Sequence, residues 1–405
     1  MKTILIISGG TESVFGIKRA KELGYFVVVT DGNPNAPGFK YADDCLHAST
    51  YDIEETLKKV IKYDKDQRKI NGVICIASDV PKTVAAISAQ FNLISVSMKV
   101  AQICSDKYEM KRYFKARNIP IPWFKEISCI EDLKEHCQNS NSQFVIKPVD
   151  SRGARGVLKI SNKSDLIKSY KYALSFSKKG KVILEEFIEG PQISTESIII
   201  NKKIYHVAFA DRNYEFLDRF SPNIIENGGQ LPSQLSPALI KKIGILIENV
   251  SRALGIENGI LKGDIVIEKN EPMVIEVAPR LSGGYFSTHE IPMSTGVDLL
   301  GLALKQAMGE LDNRTLVKPM KRNAIVQRYW FPNEGIVKSI DDVEQFRKLS
   351  NVKYLDIRVK VGDRIGPIDS HPSRAGVVIT SGINIEEARN LAEKIIKQVK
   401  IVVEK

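Results

Sequence analysis

The chain has 405 residues, 43% of them hydrophobic and 26% charged, with a formal net charge of +11. That length allows two or three domains around a sizeable core, and no apolar stretch reaches the roughly 18 residues that span a bilayer. The basic residues are spread out, with no basic tail and no basic run interleaved with stacking aromatics. Neither a nucleic acid nor a membrane is therefore expected as a partner.

The N-terminus, Met1-Lys-Thr-Ile-Leu-Ile-Ile7, reads as a first strand and not as a signal peptide. Strands predicted at 3–8, 25–30 and 72–77 alternate with helices at 13–23, 53–63 and 81–91. Such alternation implies a parallel sheet with helices on both faces. Gly9-Gly10 and Asp31 approach a dinucleotide fingerprint, but the third glycine is out of register, and a tight strand-to-helix turn is preferred. Cys45, Cys75, Cys104, Cys129 and Cys137 are dispersed without C-x-x-C spacing, which points to reduced thiols in a cytoplasmic protein and away from zinc.

Asp106 is placed to cap a helix at 107–117, which the prolines at 120 and 122 close. A strand at 143–148 delivers Lys147 to a loop containing Ser151, Arg152, Gly153, Ala154 and Gly156. Small residues let backbone amides approach phosphate oxygens. The Walker order is absent, and taken alone this pattern is more often a hairpin turn. A strand from 181 ends in Glu185-Glu-Phe-Ile-Glu-Gly190, which suits either a hinge reading an adenine edge or a plain strand and loop. Amphipathic helices are expected at 162–178 and 237–254. Between them the polar loop 211–233 offers Arg212, Arg219 and Ser233 as substrate contacts, with ordinary loop structure an equal reading.

Asp264 and Glu276 fall in two short apolar runs joined by 268–272, a predicted β-hairpin. Neighbouring carboxylates repel unless protonated or bridged by cations, and hard oxygen ligands favour Mg²⁺, which usually arrives with nucleotide phosphates. Arg280 follows as a fork for carboxylate or phosphoryl oxygens. Two surface carboxylates on an ordinary hairpin is the bland alternative. His289 is expected to pack. Strands at 323–331, 352–361 and 376–381 and a helix at 385–399 close the chain.

The segments Ser78-Asp-Val-Pro81, Ser105-Asp-Lys-Tyr-Glu-Met-Lys111, Val145-Ile-Lys-Pro-Val-Asp150, Glu185-Glu-Phe-Ile-Glu-Gly190 and Ile275-Glu-Val-Ala-Pro-Arg280 stand in an order that resembles the ATP-grasp superfamily. The nearest branch is that of carboxylate–amine ligases, close to biotin carboxylase and the purine-synthesis ligases. The resemblance implies a mixed α/β and α+β fold in three parts: a parallel-sheet pre-ATP-grasp domain at 1–105, a two-lobed ATP-grasp domain at 106–312 (lobes about 120–187 and 188–312), and a small β-rich lobe at 313–405.

By resemblance, Lys107 and Lys147 hold the α- and β-phosphates, and Ser151 to Gly156 form a phosphate lid. Glu185, with the backbone of Glu186, Phe187 and Ile188, binds adenine, and Glu189 or Glu196 the ribose. Asp264 and Glu276 hold Mg²⁺ (or Mn²⁺). Arg280 steadies the reacting carboxylate, with Gly283 beside it, and Arg280 and Lys147 are the catalytic pair. Two departures stand out: Asp264 where many members have Glu, and Ala278 where many have a metal-binding Asn, which leaves one or two metals open.

The implied reaction is ATP-dependent activation of a small carboxylate as an acyl phosphate and its transfer to an amine, by an enzyme for which a homodimer is conceivable. A carboxylase working through carboxyphosphate, a non-catalytic nucleotide-binding module and an NAD-dependent oxidoreductase are the rivals.

Overall fold

A computed structural model describes residues 1–138, 140–312, 314–315 and 317–404. Four parallel strands open the chain, in the order Asp44–His47, Phe26–Asp31, Thr3–Ile7, Gly72–Cys75. Thr3–Ile7 is buried along its whole length, as expected of a central strand covered on both faces. Helices Ser13–Glu22, Ile53–Asp66 and Pro81–Phe91 match the predicted ones closely. The Gly9-Gly10 turn is structural. Asp31 accepts from the Gly9 amide at 2.8 Å, and the Gly38 amide donates to the Gly9 carbonyl at 2.7 Å, so that acid is spent on its own turn.

A second, antiparallel sheet of four strands runs Phe124–Ile127, Val182–Glu186, Phe144–Pro148, Leu158–Ile160. Helix Leu166–Ser175 covers it and is shorter than the expected 162–178, because the Asp165 side chain caps it by accepting from the Lys168 amide. The largest sheet has eight strands: Glu271–Ala278, Gly259–Glu268, Gln192–Ile200, Lys203–Arg212, Gly229–Leu231, Ala324–Trp330, Gly376–Gly382, Val352–Ile357. The hairpin turn is tighter than expected, since Lys269 and Asn270 take φ values of +50° and +65° and the strands run up to them. Helix Pro237–Leu254, found where it was predicted, packs on this sheet, and Gly255 at φ +73° ends it.

The division into three parts is less clean than the sequence suggests. Strands from 324 onward extend the large sheet, and only Gly335–Ile340, Arg364–Ile365 and Ile401–Glu404 form a sheet of their own. Helix Leu299–Ala307 packs into the core of the parallel domain: Leu300 and Leu304 share one apolar cluster with Ile4 and Ile17. Residue 313, the first of the proposed third part, lies outside the described residues.

Candidate active site

A cavity of about 590 Å³ lies where the three sheets meet. That is a usual size for a small-molecule site. At one end Val145, Pro122, Ile188, Val266 and Ile275 make an apolar slot beside Glu186 and Phe187. The amides of Glu186 and Phe187 already donate to the carbonyls of Trp123 (3.0 Å) and Gln143 (2.9 Å), so of the three hinge amides that of Ile188 is the one left for a ligand.

Glu185 does something other than expected. It is buried, and its Oε2 receives Lys147 Nζ at 2.9 Å and Lys111 Nζ at 3.4 Å, while Oε1 has no partner. Its carboxylate is the counter-ion that aims the lysines. Burial pushes the carboxyl up, and Lys111 and Lys147 outweigh it to hold it below the ordinary range. Burial lowers Lys111 to about 8 despite Glu185. Lys111 also donates to the Val274 carbonyl at 3.1 Å and was not singled out from sequence.

Helix Lys107–Lys115, capped by Asp106 as expected, places Lys107 at its first residue. Lys107 Nζ donates to the Ser151 carbonyl at 2.6 Å and lies 3.5 Å from Glu276. Ser151, Arg152, Gly153 and Ala154 line the cavity as a loop, with Gly153 and Ala154 at φ +63° and +59°. Arg152 ties this loop to the parallel domain by donating to the Asp79 carbonyl at 3.2 Å, and the His371 amide ties it to the C-terminal part through the Gly153 carbonyl at 3.0 Å. Gly156 is not a cavity residue. It turns at φ +72° with Pro148 and Phe176 pressed against it, where a Cβ would sit 2.9 Å and 3.0 Å away.

Asp264 and Glu276 are directly opposed in the hairpin, with a bulge starting at Asp264. Lys262 Nζ lies 2.5 Å from Asp264 and 3.8 Å from Glu276. Arg212 Nη1 is 3.2 Å from Asp264, and its Nε donates to Glu226 at 2.7 Å. Burial pushes the Glu276 carboxyl up, but Lys107, Lys262, Lys147 and Arg280 hold it well below the usual range. Two carboxylates that already share an ammonium group present hard oxygen donors toward Lys107. That donor set fits a Mg²⁺ that takes its remaining ligands from phosphates and water. Ala278 adds no further ligand, and no group of three or more His, Cys, Asp or Glu is gathered for a metal among the described residues.

Beyond this carboxylate pair, Arg280 Nε reaches Asp79 at 3.3 Å and Nη1 donates to the Leu281 carbonyl at 3.0 Å. Gly283 lines the cavity so closely against Ala77 and Glu12 that a Cβ would meet both at 3.4 Å. The C-terminal part contributes Arg358, His371 and Arg374, none of them foreseen. Arg374 Nε and His371 Nε2 are buried without partners.

Besides Gly156, four expected ligand contacts fall outside the cavity. Glu189 is exposed and does not line the cavity. Arg219 faces away, donating to the Phe331 carbonyl at 3.0 Å and lying over Phe216 and Phe220. Ser233 caps the strand end by hydrogen bonding to Asp211. Glu196 is fully buried under the Arg280 loop, where it accepts from the Ser282 amide (3.0 Å), the Ser287 hydroxyl (2.8 Å) and the Ser282 hydroxyl. Glu196→Ala is expected to cost on the order of 3 kcal/mol of stability, because it strands those donors; urea unfolding measures it, and an unchanged midpoint would contradict the loop-anchoring role. His289 packs as expected, edge-on to Phe15 with centroids 4.5 Å apart, and burial lowers it to about 4.

Two lysines, a loop with positive-φ residues and an opposed carboxylate pair share one cleft, an arrangement suited to nucleotide-dependent group transfer. Residues 104–284 match the ATP-grasp domain, and residues 328–404 match the L-amino acid ligase C-terminal domain 2. Protein y4rH of Sinorhizobium fredii is 23% identical over 81% of this chain, which spans 66% of that relative. Phosphoribosylamine–glycine ligase of Methanococcoides burtonii is 24% identical over 98% of this chain and 94% of its own. The crystal structure of an L-amino acid ligase from Bacillus licheniformis superposes with a TM-score of 0.83 at 20% identity, covering 100% of this chain and 99% of that one. Residues 104–284 therefore carry an ATP-grasp domain, and the chain has the fold of the ligase it superposes on.

No helix among the described residues is long and apolar enough to cross a membrane.

Proposed function

We propose that the protein uses ATP to activate a small carboxylate as an acyl phosphate and joins it to an amine, forming an amide bond and releasing ADP and phosphate. The observation that carries this is Arg280. It lines the same cavity as Lys107, Lys147, Asp264 and Glu276, and its guanidinium suits a carboxylate there. The match of residues 328–404 to an L-amino acid ligase domain supports amino acids as the acid substrate.

In this reading the apolar slot and the Ile188 amide take the adenine. Lys107, Lys147 and the amides of the 151–154 loop hold the phosphates and offset charge as the phosphoryl group moves. Arg280, braced by Asp79, orients the attacking carboxylate. Asp264 and Glu276 would hold Mg²⁺, which would supply Lewis-acid charge neutralisation at the phosphates. The loop, tied at both ends of the cleft, keeps water from the acyl phosphate. No side-chain nucleophile is called for.

The test is ADP release with Mg²⁺ over a panel of L-amino acids, other small carboxylates, amines and bicarbonate, with mass spectrometry of the products. An amide product with equimolar ADP is expected. ADP release driven by bicarbonate alone would replace this reading with a carboxylase, and no turnover with any pair would remove the ligase.

A further inference from the structure

Three buried carboxylates line the cavity: Glu185, Asp264 and Glu290. Lysines hold the first, and Lys262 with Arg212 the second. Glu290 is 3% exposed, and its carboxylate has neither a hydrogen bond nor an ion pair among the described residues. Leaving such a group unpaired and almost wholly withdrawn from solvent at the cavity wall is costly, so it needs a reason.

Its backbone setting also stands apart. Glu290 ends a π-helical turn, Phe286–Glu290, that begins two residues after the Arg280–Gly284 loop. Single π turns are rare and often found at functional sites. The neighbouring acids are all occupied. Glu12 accepts from the Gly284 and Tyr285 amides at 3.0 Å and 2.9 Å, Asp79 is held by Arg280, and Glu226 by Arg212 and Arg374. Burial raises the Glu290 carboxyl to about 8, with Glu226 and Glu12 adding to it and Arg328 opposing.

We propose that Glu290 receives the amine substrate, its carboxylate holding the ammonium nitrogen and accepting one of its protons. This rests on the ligase reading and assigns a residue to its second half. The ammonium gives one proton to Glu290. The freed lone pair forms the C–N bond as the C–O bond to phosphate breaks, and the second nitrogen-borne proton leaves with the phosphate as hydrogen phosphate. An acceptor near neutrality suits such a transfer.

The test compares two nucleophiles in the presence of ATP, Mg²⁺ and the common L-amino acids as acid donors. Hydroxylamine, neutral near pH 7, traps the acyl phosphate as a hydroxamate without needing a proton acceptor. An amino acid amine, protonated at that pH, does need one. Glu290→Gln is expected to lose roughly 10²-fold more in kcat/KM for the amine than in hydroxamate formation. Raising the pH should restore the variant more than the wild type, and Glu290→Asp should recover part of the loss. A parallel loss with both nucleophiles, or none with either, overturns the assignment. Melting with and without an ATP analogue shows that the variants fold; if Glu290→Gln does not, Glu290→Asp carries the comparison, and an unaltered amine-to-hydroxylamine ratio with unaltered pH dependence overturns the proposal. Wild-type protein that yields no hydroxamate from any acid would fell the ligase reading itself, and this assignment with it.

Discussion

Glu276→Gln is expected to lower the rate of ADP release by roughly 10²-fold or more. The substitution keeps the shape of the side chain and removes its charge, at the point where Lys107 (3.5 Å) and Lys262 (3.8 Å) converge. Those two cations, with Lys147 and Arg280, keep Glu276 ionised against its burial. Without the anion they are left facing one another across the site, and Asp264 alone must hold the cation. The Mg²⁺ concentration giving half the maximal rate should therefore rise, and titrating Mg²⁺ at saturating ATP measures it. A near-normal rate at ordinary Mg²⁺ would remove Glu276 from the metal site. Asp264→Asn should behave in the same direction, because the two residues are paired in register on the hairpin.

That hairpin was legible in the sequence because local signals agree: two apolar runs, a turn between them and one acid in each. The lysine at the end of Phe144–Pro148 was legible for the same reason. The residues that hold these groups in place were not. Lys111 and Lys147 meet over Glu185 from three separate elements, and Asp79 meets Arg280 across 201 positions of chain. No local pattern encodes such a pairing.

The misplaced contacts have particular causes. Ser194 and Glu196 lie two apart on one strand and so share a face. Ser194 pairs with Asp264 in the cavity, but Glu196 sits one step further along, beneath Ser282, where the Arg280 loop closes over it. Within 211–233 the chain leaves its strand after Arg212, so Arg212 enters the cavity while Arg219 and Ser233 are tied to Phe331 and Asp211 instead. The fold class came through because it depends on strand–helix alternation. The joining of 324–330 and 376–382 to the large sheet did not, because register between distant strands leaves no trace in either segment alone.

Lys147→Ala is expected to weaken ATP binding by about 10- to 100-fold, the loss of one or two charge-assisted contacts at roughly 1.5–3 kcal/mol. It also has a structural cost. Glu185 would keep Lys111 at 3.4 Å and lose Lys147 at 2.9 Å, with Oε1 already unpartnered. Stability should fall, though by less than the about 3–5 kcal/mol of breaking a solitary buried pair, because one counter-ion remains. Lys111→Ala separates the two roles. Lys111 is fully buried and donates to the Val274 carbonyl, so it cannot reach a ligand without leaving the core. Its loss should lower the unfolding midpoint while ATP affinity, measured by calorimetry on the folded protein, stays within a few-fold of wild type. If Lys147→Ala also left the affinity intact, Lys147 would be only a counter-ion to Glu185, and the phosphate cradle would rest on Lys107 and the loop amides.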